Sequence, residues 1–95
     1  MTLARIVGTV VCAESAAGIE GASWRLAEEC DHRGSLLGDP IVVLDLVGAA
    51  DGEVVLLCRG SSVRWTPETA DRPVDALAVA LVDIIDEGGE ITFRR

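Results

Sequence analysis

The chain has 95 residues and a mass of 10.0 kDa, which reads as one small domain spanning 1–95. Sixteen acidic residues face eight basic ones, all arginine, for a net charge of −8 and a pI near 4.4. That balance argues against binding nucleic acid, whose backbone is a polyanion, while 49% hydrophobic residues and a mean hydropathy of +0.38 argue against disorder.

The first run, residues 3–13, is small or apolar at Ala4, Ile6, Val10 and Cys12 and mixed at Leu3, Arg5, Val7, Thr9 and Val11. Period two with β-branched residues predicts a strand, with Gly8 marking a bend or a close backbone contact. Residues 14–21 read as a loop punctuated by Gly18 and Gly21. In the second run, 23–30, Trp24, Leu26 and Cys30 share one face while Ser23, Arg25 and Glu29 share the other. That alternation predicts a half-buried antiparallel strand. Asp31-His32-Arg33-Gly34 follows as a turn. Pro40 then stands at the entrance of a third strand, 41–47, which holds Asp45.

Asp51-Gly52 is a hairpin signal. The fourth run, 54–58, is apolar without alternation, and a strand apolar on both faces must be covered on both. A lone small barrel has one inside, and a domain of this size buries only about 60–65% of its unfolded surface. The outside of this strand therefore calls for a partner subunit. Thr66-Pro67-Glu68 reads as the start of a short helix that ends at Arg72-Pro73. Residues 74–87 fit helical and strand spacing equally. Gly88-Gly89 turns the chain into a last short strand, 91–93. About five short strands with one helical insertion predict a small, partly open antiparallel barrel.

The inventory of reactive groups is thin. His32, the single histidine, sits in a polar turn, and Cys12, Cys30 and Cys58 lack the close pairing of metal ligands. Neither a metal nor a cofactor is expected, and a reduced chain is the natural reading of three widely spaced thiols. Asp83, Asp86, Glu87 and Glu90 read as a solvated acidic face rather than an acid–base pair. Gly60-Ser61-Ser62 could hold an anion but lacks the spacing and lysine of a phosphate-binding loop. No apolar run of about 18 residues would cross a membrane, and residues 1–5 do not read as a secretory signal.

Four phrases in order carry a resemblance. They are Leu3-Ala4-Arg5-Ile6-Val7-Gly8-Thr9-Val10-Val11; Asp45-Leu46-Val47-Gly48-Ala49 before Gly52-Glu53-Val54-Val55-Leu56; Gly60-Ser61-Ser62-Val63-Arg64; and Pro73-Val74-Asp75-Ala76 leading to Val82-Asp83. Together they resemble the EutN/CcmL family, pentameric vertex proteins of bacterial microcompartment shells. Val63, Ala50, Trp65 and Cys12 depart from the family's usual residues. The resemblance implies an all-β fold with one short helix, a small OB-like five-stranded β-barrel assembling as a homopentamer, and a strand at 76–85. It implies a structural, non-enzymatic role without cofactors, in the cytoplasm, at the corners of a polyhedral shell whose facets are hexameric tiles. The all-arginine basic set points to a GC-rich genome and so to a catabolic compartment. The alternative is a soluble OB-like ligand-binding module without a shell role. For a closed ring, the expected subunit contacts are Val54, Val55, Leu56, Leu57, Arg5 and Arg64, with Arg72 as a further cation facing acids across the interface. Gly48, Ala49, Gly60, Ser61 and Ser62 are expected around an axial opening, where small residues let backbones approach.

Overall fold

Strand β1 (Thr2–Val10), the longest described strand, pairs with a neighbouring strand on each side. The structure, a computed structural model, describes residues 1–14, 21–59 and 76–95. The remaining described elements are β2 (Trp24–Glu29), β3 (Ile41–Asp45), β4 (Val54–Arg59), β5 (Ala76–Leu81), β6 (Ile84–Glu87) and β7 (Glu90–Arg94). The expected helix at Thr66 lies outside the described residues, as do Gly60, Ser61, Ser62, Arg64 and Arg72. Among the described residues no helix is long and apolar enough to cross a membrane.

Five strands close into a barrel in the order β1-β2-β3-β5-β4, with β4 returning to β1. All pairs are antiparallel except β3 with β5, where Leu44 lies opposite Leu77 and Asp45 opposite Ala78. The barrel is therefore closed rather than partly open. The described part of the ambiguous segment, 76–87, forms two strands, β5 and β6, interrupted at Val82 and Asp83 where the resemblance implies a single strand over 76–85. β6 pairs with β7 in a separate two-stranded sheet, turned by Gly88 and Gly89 at positive φ.

A five-strand barrel is narrow, and its lining shows it. Ala4, Ala27, Ala76 and Ala78 alternate with Ile6, Val43, Val55 and Leu57, all essentially without solvent contact. Small side chains beside large ones fill a tapering interior without voids. Gly8 marks a shift in the β1–β2 register after Ile6, as its predicted bend requires. A Cβ at Gly8 would sit 3.4 Å from the Leu26 side chain.

Two sequence expectations are corrected. On β2 the inward face carries Arg25 and Ala27, while Trp24 and Leu26 face outward. Register sets Ala27 opposite core Ile6 and Arg25 opposite core Val43, which leaves Trp24 and Leu26 on the other face, where Trp24 joins Leu44 and Leu77 in a second apolar cluster with Ala22, Cys58 and Val79. The Asp51-Gly52 turn is real, with Gly52 at φ 87°, but it makes no hairpin. β3 and β4 do not pair; the turn swings the chain across the barrel end onto β1, where Gly52 N–H donates to Ile6 O (2.7 Å) and Ile6 N–H to Glu53 O (2.9 Å).

Candidate functional site

Strand register places side chains from neighbouring strands side by side on one face of a sheet. Outside the barrel this aligns Gly8, Leu26 and Val42 in one row, and Val10, Trp24, Leu44 and Leu77 in the next. Antiparallel sheets usually turn polar residues to water. Here the outer face is apolar, and Val42 remains 52% exposed with Leu26 half-buried. Leu3 and Leu56 continue this outer surface across the β1–β4 pair, also half-buried.

The strand expected to make subunit contacts divides by face. Val55 and Leu57 line the core and Val54 is equally buried, all within a single chain. Leu56 is the residue of that four that retains exposure. Arg5 is already engaged: its Nε donates to Gly34 O (3.1 Å), its Nη1 to Gly52 O (2.7 Å), and its guanidinium lies over the Phe93 ring at 5.7 Å. These contacts tie β1 to the turn after β2 and to β7.

The loop between β3 and β4 holds Gly48 and Ala49, two of the small residues expected at an axis. Its shape is set by Asp45, which is 8% exposed. One carboxylate oxygen accepts from the N–H groups of Val47 (2.9 Å) and Gly48 (3.0 Å), and the other accepts from Ala49 N–H (2.9 Å). Arg25 reaches the same place from inside β2. Its Nη1 lies 3.8 Å from Asp45 Oδ2, Nε donates to Gly8 O (3.0 Å), and the guanidinium also bonds Ala49 O and Asp51. The sequence shows Arg25 only as a polar-face residue. Its part in holding the loop depends on β2 facing the other way.

Of the acidic group near the C-terminus, Asp86 accepts from Gly89 N–H (2.8 Å) and shapes the β6–β7 turn. Glu87 Oε2 lies 2.6 Å from His32 Nε2, and Thr92 Oγ1 donates to His32 O (2.7 Å). His32 thus braces the hairpin against the 31–34 turn. Arg95 pairs with Glu53 at 2.6 Å. Burial pushes the Cys30 thiol up, whereas Cys12 is exposed. What the described side chains build is an apolar outer surface and a loop braced by Asp45 and Arg25.

The family model described as ethanolamine utilisation protein EutN/carboxysome matches residues 1–83. The microcompartment shell vertex protein EutN of Escherichia coli K12 is 34% identical over 95 residues, covering all of both chains. The solved structure of CcmL from Nostoc sp. PCC 7120 superposes with a TM-score of 0.92 at 34% identity, again over the whole of both chains. GrpN, a pentameric microcompartment shell protein from Rhodospirillum rubrum, gives a TM-score of 0.81 at 30% identity, over 92% of this chain and 99% of its own.

Proposed function

The chain belongs to the EutN/CcmL family, and from that premise we propose that it forms the five-fold corners of a bacterial microcompartment shell. A flat sheet of hexagonal tiles cannot close; pentagons supply the missing curvature. The role is structural and has no reaction step: the whole chain, 1–95, acts as one unit that meets four copies of itself and then the hexameric tiles of the facets. The body it helps to enclose lies in the cytoplasm. EutN and CcmL stand at the same sequence distance, so the corner geometry common to both kinds of shell carries over rather than either cargo.

The observation that carries this is the outer row of Leu26 and Val42, half-buried and exposed, which a lone domain would leave wet; the next row is covered within the chain, with Leu44 and Leu77 buried. A ring that closes head to tail needs two unlike patches on every chain. On β4 the contact falls to Leu56, held in place by buried Val54, Val55 and Leu57; Arg5 supports that surface from within, and Arg64 is a further contact. The axial opening is assigned to the braced loop, where Gly48 is exposed and Ala49 buried, and to Gly60, Ser61 and Ser62.

Co-expression with hexameric shell proteins tests the role. Closed polyhedral particles should form with this chain present, and open sheets or tubes without it. Particles that close equally well in its absence would overturn the assignment.

A further inference from the structure

The β6–β7 hairpin stands apart from the barrel. Its strands pair with each other and join neither barrel edge. Side-chain contacts hold it along its length: Arg95 on Glu53 at the open end, Arg5 over Phe93 and Thr92 on His32 in the middle, and Glu87 on His32 beside the turn. A two-stranded hairpin is marginal in water without something packed on it. Even so, Ile84 and Ile91 are nearly half exposed. Register sets Ile84 opposite Arg94, so an apolar and a cationic side chain share one patch. Among the described residues the Arg94 side chain has no ion-pair partner. Arg5, Arg25 and Arg95 are all engaged within the chain.

The barrel carries the converse arrangement. On the outer face of β2, Glu28 follows Leu26, and Leu26 lies opposite Val42 of β3. Glu28 is half-buried, yet its carboxylate has no cation within reach among the described residues. Arg5, its register partner on β1, turns its guanidinium to Gly34 and Gly52 instead. Among the described residues, one patch is therefore apolar with a cation that makes no ion pair, on a hairpin otherwise acidic at Asp86, Glu87 and Glu90, and the other is apolar with an anion that makes none, both on the same chain. That pairing of unlike, complementary surfaces is what a head-to-tail contact requires.

We propose that the hairpin of each copy docks on the β1–β2–β3 outer face of the next, with Ile84 seated on Leu26 and Val42 and Arg94 paired with Glu28. The occupant is a second copy of this chain, and the contact rests on the ring proposed above. Each chain has a net charge of −8, so a ring gathers much negative charge. An Arg94–Glu28 pair at each joint offsets part of that repulsion where the subunits meet.

Charge exchange tests the contact. Glu28→Arg, Arg94→Glu and the double variant are compared with the unaltered chain by native mass spectrometry across a dilution series, with circular dichroism confirming the fold. Each single variant should fall apart at a concentration about tenfold or more higher than the unaltered ring. The double variant should recover most of that loss. Single variants that assemble normally, or a double variant no better than the worse single, would overturn the docking while leaving the ring intact. An unaltered chain that forms no five-copy ring would overturn both.

Discussion

Asp45 uses both carboxylate oxygens, one on two backbone N–H groups and the other on a third, with Arg25 alongside. Removing a buried acceptor of this kind leaves donors and a cation without partners. Asp45→Ala should therefore cost about 3 kcal/mol, read as a lower urea midpoint at fixed protein concentration; a loss below about 1 kcal/mol would mean that water replaces the carboxylate. Two half-buried carboxyls act on pH dependence. Asp31 is held below its ordinary 3.8 by the N–H groups of Ser35 and Arg33, and Glu53 below 4.5 by Ala50 N–H and then Arg95. A carboxyl whose folded value is depressed adds stability above its unfolded value and loses it as pH falls through the folded one. Stability should thus decline on acidification below about pH 4, and Asp31→Asn should flatten part of that decline. A steeper decline in the variant would contradict the assignment. In the sequence Asp45 is only a polar interruption in an apolar run. Three N–H groups converge on it because the chain turns sharply after β3, and no local pattern announces that turn.

Strand β4 separates folding from assembly. Val55 and Leu57 project into the bore, whereas Leu56 lies on the outer face. Val55→Asp places an unpaired charge in the core and should unfold the barrel, seen as loss of the cooperative thermal transition. Leu56→Asp should leave that transition in place for the single chain and weaken the ring, seen as a shift to lower mass. Equal damage to the fold from both variants would place Leu56 inside rather than outside. The strands themselves were legible from period two and from glycine and proline punctuation. Their facing was not always so. Trp24 and Leu26 read as core because apolar side chains are expected inside, but the strand register turns Arg25 and Ala27 inward and leaves those two on the outer face. Likewise Asp51-Gly52 has the chemistry of a tight turn, and that chemistry serves a barrel corner as well as a hairpin. The β5–β6 region fits both periods, and only pairing, of β5 with β3 and β4 and of β6 with β7, settles it as strand.

At the scale of the whole molecule, the composition and the surface agree. Nearly half the residues are hydrophobic, and the barrel interior accommodates mainly small ones. Part of the remainder lies on the outer face at Val42 and on the hairpin at Ile84 and Ile91, all about half exposed, and part in the connections at Val11, Leu36 and Leu37. Burying such area between copies is favourable by about 25 cal/mol per Å² before the entropy of association is set against it. The expectation of a partner followed from apolar excess in the sequence, while the surfaces that meet it needed the register of three strands. Native mass spectrometry of the unaltered chain at micromolar concentration tests the ring most directly. A single species near 50 kDa, five copies of 10.0 kDa, is expected; a monomer at 10.0 kDa that persists as the concentration is raised would contradict it.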